Sequence, residues 1–273
     1  MTTGAAILEV RGLRKIYRQG GLLGGKAHAA LAGVSLALRP EDGKVLAIVG
    51  ESGSGKTTLA RILLRLVTAD AGEVSVAGHR IVAPGARTVD NRTLRKLVQP
   101  IFQNPFEAFS LQLPLEEYLM RTAINLGDAT MRSNPRPAVE ESLAAVGLSY
   151  ARVAGKGIRA FSGGELQRIS VARALIAKPL LIVADEPVSM VDASLRMTIV
   201  NLFKELSGRL GVAFVYITHD LSTAYYLSDV MAIMRQGELV EFGRPEAILQ
   251  SPRSDYTRAL LDAIPTLDRR WTI

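Results

Sequence analysis

The chain has no cysteine among its 273 residues. That excludes disulfides, thiolate zinc sites and iron–sulfur clusters, and it fits a reducing compartment. Aromatic residues make up only 5%, too few for the stacking platform of a single-strand nucleic-acid binder. Lysine and arginine outnumber aspartate and glutamate, 33 to 26, for a net charge of +7. They nowhere gather into the kind of run that marks a nucleic-acid patch. The excess reads as a dispersed basic surface, one compatible with neighbouring anionic phospholipid. Long apolar runs are also missing. Stretches such as Leu180–Ala184 and Val212–Ile217 are far too short to cross a bilayer, which takes about 20 residues. Met1 to Val10 lacks a basic stretch followed by an apolar one, so no secretory signal is expected there.

What the chain does have is 48% hydrophobic content, enough for a large core, in strand-like and helix-like patterns that alternate. That alternation predicts an α/β protein with a mainly parallel sheet. No internal repeat and no long linker interrupts it. Strands are expected at Ile7–Val10 and Val34–Leu38, with Gly20–Gly25 as a surface loop between them. Val45–Val49 reads as a buried strand ending at Gly50. Leu59, Ile62, Leu63 and Leu66 then fall at helical spacing. A strand with a turn is expected over Glu73–Gly78. From Asn104 to Phe161 the pattern turns helical, punctuated by Pro105, Pro114, Pro135 and Pro137. The sheet resumes at Leu180–Ala184 and Ala213–Thr218. Val230–Met234 and Glu238–Glu241 flank a hairpin turn at Gln236-Gly237. A short helix is expected near Tyr256. Pro100 is out of place in a central strand and predicts an edge position or a strand start.

Three motifs carry chemistry. Gly50-Glu51-Ser52-Gly53-Ser54-Gly55-Lys56-Thr57 has a phosphate loop's spacing, and Thr58 follows it. The glycines let successive N–H groups turn inward onto a phosphate, where the start of the next helix adds its positive dipole end. Lys56 would supply a cation to the β- and γ-phosphates, and the Thr57 hydroxyl would ligate Mg²⁺. Leu180 to Glu186 ends a second buried strand in two carboxylates, at the sheet edge where α/β proteins place their ligands. Asp185 is expected to hold Mg²⁺ through its water shell. Glu186, pointing the opposite way along the strand, is expected to act as general base on water. Phe161-Ser162-Gly163-Gly164-Glu165 precedes an apolar helical run. Ser162 is a natural N-cap, and the two glycines leave N–H groups open at a helix start: a second anion site without a lysine of its own.

Taken in order, these motifs resemble the nucleotide-binding subunit of ABC transporters over about Ile7 to Pro265. In the signature, Phe161 and Glu165 stand where Leu and Gln are usual. The resemblance implies a P-loop NTPase (RecA-like) core with an antiparallel β subdomain and an inserted α-helical subdomain. The core would take about 1–103 and 166–245, the helices about 104–165, and a tail about 246–273. It implies a head-to-tail dimer, homo- or heteromeric, with two ATPs clamped between each phosphate loop and the partner's Ser162, Gly163, Gly164 and Glu165. Gln103 resembles the glutamine that senses Mg²⁺ and the attacking water. Asp192, in Ser189-Met190-Val191-Asp192, resembles part of the loop coupling the two sites. His219 resembles the histidine that contacts the γ-phosphate, and Tyr17 the aromatic that stacks on adenine. ATP and Mg²⁺ are the implied ligands. Two transmembrane permease subunits and an extracytoplasmic solute-binding protein are the implied partners, at the cytoplasmic face of the cell membrane.

Glu51-Ser52 in the phosphate loop, Ile101-Phe102-Gln103-Asn104-Pro105 and the tail Ser251–Pro265 are similar to the oligopeptide, dipeptide and nickel importer branch. Peptides are therefore the expected cargo, with nickel or another small solute as the alternative. A soluble ABC ATPase acting on DNA or ribosomes would generally carry coiled-coil or domain insertions, or a second cassette, and none is visible. A regulatory subunit without hydrolysis would lack Glu186 or His219. Finally, Phe106, Phe109, Leu111, Leu113 and Leu115 are dense for a surface loop and suggest a groove that docks a membrane subunit.

Overall fold

A computed structural model describes residues 5–19 and 26–263. The Gly20–Gly25 loop and Ile264-Pro265 therefore lie outside the described residues. The elements run β1 (Leu8–Gln19), β2 (Lys26–Leu38), β3 (Val45–Val49), α1 (Lys56–Leu63), β4 (Ala71–Val76), β5 (His79–Val82), α2 (Asn91–Leu97) and β6 (Val98–Ile101). Then come α3 (Leu115–Leu126), α4 (Ala129–Ser133), α5 (Arg136–Ala145), α6 (Tyr150–Val153), α7 (Gly163–Ile176), β7 (Leu181–Asp185) and α8 (Ala193–Leu210). The described chain closes with β8 (Ala213–Thr218), α9 (Leu221–Leu227), β9 (Val230–Arg235), β10 (Glu238–Gly243), α10 (Pro245–Gln250) and α11 (Asp255–Asp262).

Two sheets organise these elements. An antiparallel sheet has the order β2-β1-β4-β5, and a six-stranded sheet the order β10-β9-β3-β8-β7-β6, parallel except for β10. Every residue of β3 is buried, because the strand faces a different core on each side. Leu46 and Ile48 join α1 and the antiparallel sheet, whereas Val45, Ala47 and Val49 join the helices α3, α5, α7 and α8. β7 and β8 divide in the same way: Ile182 and Phe214 face the helices, Val183 and Val215 the other side. Two-sided burial is why these strands read as continuous apolar runs instead of alternating ones.

Pro100 sits in β6, the edge strand, where a missing N–H is tolerated. Gln236 and Gly237 both have positive φ, 49° and 81°, the geometry of a two-residue hairpin turn between β9 and β10. Other elements depart from expectation. β1 and β2 are far longer than Ile7–Val10 and Val34–Leu38. Gly12 and Gly33, at φ 55° and 116°, break the register near their middles and disguise the alternation. β4 continues through a turn at Ala77-Gly78 into β5, an unforeseen strand. The five apolar residues after Asn104 do not act together. Phe109 and Leu115 are buried in the core, Phe109 edge-on against Tyr118 with ring centroids 5.3 Å apart, while Phe106 and Leu111 are exposed. Phe109 is thus a packing residue.

Candidate functional site

The turn from β3 into α1 builds the floor of the site, and two of its glycines are sterically required. A Cβ on Gly50 would lie 2.2 Å from the Met234 carbonyl oxygen. Gly55, the N-cap of α1 at φ 103°, would bring a Cβ to 2.4 Å from the Ala30 carbonyl oxygen. Within this loop Lys56 is buried. Its ammonium donates to the Gly50 and Glu51 carbonyls at 2.7 and 2.8 Å and to Ser54 Oγ at 3.4 Å. Those three contacts use all its donors. Burial pulls its pKa below the usual lysine value, opposed by the charges of Glu186, Asp185 and Glu51.

β7 delivers the carboxylates. The Thr57 hydroxyl donates to Asp185 Oδ1 at 3.4 Å, and burial raises the Asp185 pKa above the usual aspartate range. Glu186 is turned differently from the expectation of strand pleating. The strand stops at Asp185, and Glu186 takes a left-handed backbone, φ 49°. Its N–H donates to the Ile217 carbonyl at 2.9 Å, and its own carbonyl accepts from Ser189. Such a conformation is costly for a residue with a Cβ and is held by these bonds. The turn brings Glu186 Oε1 to 2.9 Å from Nδ1 of His219, an exposed residue just past the end of β8.

Lys56, Thr57, Glu186 and His219 open onto one cavity of about 420 Å³, lined also by Ser52, Gly53, Gly55, Thr58, Gln103, Tyr17, His28 and Ala30, while Asp185 stands behind Thr57 and outside the lining. Gly50, Glu51 and Ser54 lie behind it and hold Lys56. His28 was not foreseen. It pairs with Tyr17 across β1 and β2, and only that register reveals it. A larger cavity, about 610 Å³ between α5, α7 and the end of α8, has none of the sequence-predicted site residues in its lining.

Ser162, Gly163, Gly164, Glu165 and Asp192 do not line the nucleotide cavity. Ser162 caps α7, its hydroxyl accepting from the Glu165 N–H at 3.2 Å while Glu165 accepts from the Ser162 N–H at 3.0 Å. The serine-x-x-glutamate spacing signalled this box. Arg152, which no motif pointed to, forks onto Glu165 at 2.9 and 3.0 Å. The Ser162 N–H is the first cause of a lowered Glu165 pKa, with Arg152 assisting. Gly164 is closely packed: a Cβ there would lie 3.0 Å from Leu195 Cδ1, and that side chain would have to shift. Gly163 has room, its closest neighbour being 3.7 Å away. Asp192 is exposed at the start of α8.

The donor set fits a magnesium–nucleotide complex. The Lys56 ammonium sits beside the cavity, where a phosphate would replace its bonds to the loop's own carbonyls, and the Thr57–Asp185 pair offers hard oxygens. No group of three or more His, Cys, Asp or Glu side chains that could hold a metal ion occurs among the described residues. Mg²⁺ suits that scarcity, because it is bound through one or two carboxylates together with phosphate and water.

Fold and pocket together define a phosphate-loop nucleotide-binding domain. Residues 31–189 match the ABC transporter family profile. A putative peptide import ATP-binding protein of Brucella ovis is 36% identical over 266 residues, 97% of this chain and 81% of that one. The di/tripeptide transport ATP-binding protein DppF of Pseudomonas aeruginosa is 36% identical, over 96% of this chain and 80% of that one. The oligopeptide transport ATP-binding protein OppD of Mycobacterium tuberculosis is also 36% identical, with 97% of this chain matching 43% of its length. Among solved structures, the dimeric ATP-binding cassette MJ0796 with ADP and Pi superposes with a TM-score of 0.71 at 26% identity, covering 87% of this chain and 98% of that one. The chain belongs to the ABC transporter family, as an ATP-binding cassette.

Proposed function

We propose that this chain is the ATP-hydrolysing subunit that energises a peptide importer, peripheral to the cytoplasmic face of the cell membrane. The observation that carries the catalytic part is the convergence of Lys56, Gln103, Glu186 and His219 on one cavity. The peptide part is supported by the likeness to peptide-import ATP-binding proteins over nearly the whole chain. No helix among the described residues is long and apolar enough to cross a membrane.

In this reading the loop N–H groups and Lys56 bind the β- and γ-phosphates, and Tyr17, exposed at the cavity mouth, stacks on adenine. Thr57, Asp185 and Gln103 hold Mg²⁺, which would neutralise charge on the phosphates. Glu186 accepts a proton as water oxygen bonds to the γ-phosphorus and the bond to the bridging oxygen breaks, releasing ADP and phosphate. His219 orients Glu186 through their 2.9 Å bond and contacts the γ-phosphate. A second ATPase subunit supplies the Ser162 helix start and the Asp192 loop to each site, and Gly163 leaves room for that approach.

The division into a core, a helical part over about 104–165 and a tail completes the proposal. Phe102 lines a groove of about 350 Å³ with Leu66, Leu94 and Tyr118, while its neighbour Gln103 lines the nucleotide cavity. Adjacent residues facing a groove and the nucleotide form a short mechanical link, which supports that groove as the docking site of a permease subunit. The test is reconstitution with co-purified membrane subunits and the solute-binding protein in vesicles. ATP-dependent uptake of di- or oligopeptides is expected; uptake of nickel without peptide would replace the cargo.

A further inference from the structure

The tail makes a direct contact with the phosphate loop. Glu241 of β10, only 7% exposed, accepts from the backbone N–H of Arg253 at 2.9 Å and of Ser254 at 2.8 Å. One buried carboxylate thereby pins the turn into α11. Ser254 caps that helix, its hydroxyl accepting from the N–H groups of Tyr256 and Thr257. Thr257 is fully buried and anchors the helix inward. Held in this way, Tyr256 presents its hydroxyl to the loop and accepts from the Glu51 N–H at 3.0 Å. The Arg235 guanidinium lies over the same ring, 4.9 Å from its centroid. Two residues further on, Gly237 donates its N–H to the Ser54 carbonyl at 2.9 Å.

We propose that Tyr256 is a positioning residue for nucleotide binding, its hydroxyl setting the curl of the phosphate loop from outside the cavity. A loop with glycines at 50, 53 and 55 has many backbone conformations, and binding must select the one whose N–H groups converge. Tyr256 at Glu51 and Gly237 at Ser54 clamp that loop near its two ends before any nucleotide arrives. Neither Tyr256 nor Glu51 lines the cavity, so the influence reaches ATP through the backbone alone. Preorganisation of this sort lowers the cost of binding without touching the reacting atoms.

The proposal rests on the assignment of the phosphate loop as the ATP site, and the experiment separates the two. Tyr256→Phe keeps the ring over Arg235 and removes only the hydroxyl. In the full-length subunit, ATP affinity should fall about 2- to 10-fold, as for one lost hydrogen bond. KM should rise in parallel while kcat at saturation stays near wild type. Leu260→Ala, on the same helix and packed against the core, should lower the melting temperature and leave affinity unchanged. Equal affinity and KM in Tyr256→Phe and wild type, or a kcat loss without a KM change, overturns the role of Tyr256. Lys56→Ala is the reference: it should abolish ATP binding. If it does and Tyr256→Phe is silent, only the clamp is wrong. If Lys56→Ala binds ATP normally, the clamp and the site assignment fall together.

Discussion

Two helix starts in this protein offer the same kind of anion site and are finished differently. At the start of α1 the chain encloses its own ligand: Lys56 is buried in the loop, and Gln103, Glu186 and His219 close the other wall. At the start of α7 the chain leaves Ser162 exposed and Gly163 half-buried. Its carboxylate, Glu165, is already committed to the capping box and to Arg152. The first site holds charges in low dielectric, where they act strongly; the second is rigid, capped and open. A rigid half-site without a cation is complete only when another surface brings one. In a head-to-tail pair, that surface would be the partner's phosphate loop.

The largest effect should come from Glu186→Gln, which tests whether the chemistry belongs to the enclosed site. Gln keeps the shape and still reaches His219, but it cannot accept a proton. Phosphate release should fall about 10²–10⁴-fold. ATP should bind as before, and closed dimers should accumulate in light scattering. Turnover at the wild-type rate would move the general base elsewhere.

Ser162→Arg tests the open site. It sets bulk and charge at a helix start that does not line the chain's own nucleotide cavity. ATP affinity of the monomer should stay at its wild-type value while ATP-driven dimerisation disappears. If monomer binding falls equally, the comparison fails, because α7 would then serve its own chain's nucleotide.

The glycines sharpen the contrast. Gly55→Ala meets the Ala30 carbonyl in a left-handed conformation that alone costs about 1–2 kcal/mol, so nucleotide affinity and stability should both drop. Gly163→Ala has room within the chain, so the monomer should keep both and lose only dimer affinity. Titration calorimetry and thermal melts separate the outcomes.

How much of this was legible in the sequence follows from the physics of each part. β3, β7 and β8 could be read because two-sided burial leaves no polar alternation to misjudge, and their C-terminal ends point to the site. β1 was under-read because Arg11, Arg14 and Arg18 face water and Gly12 shifts the phase of the pattern. Phe106 lies within one short 3₁₀ turn, Pro105–Ala108, and Phe109 just after it, a stretch too brief for periodicity to distinguish the exposed ring from the buried one. The left-handed turn at Glu186 left no mark, because glutamate is not a residue that announces positive φ. His28 and Tyr256 reach the site or its loop across strands or from far along the chain, through pairing and packing that no local pattern encodes.

The smallest effect should come from Glu165→Gln, which asks what the carboxylate adds to the open site. Gln can still accept from the Ser162 N–H with its one carbonyl oxygen, so the capping geometry survives, while the charge facing Arg152 and one arm of its fork are lost. A partly exposed ion pair of this kind, still screened by water, is worth about 0.2–1 kcal/mol. The Glu165 carboxyl has a lower pKa folded than unfolded. Its contribution is therefore fully present above the ordinary glutamate range and is lost as pH falls through the lowered folded value. The melting temperatures of wild type and Glu165→Gln should differ by a degree or two at neutral pH and converge in acid. A gap that widens in acid would mean that Arg152 and Ser162 do not favour the charged form, and that α7 is held in place by packing against α8 and not by its cap.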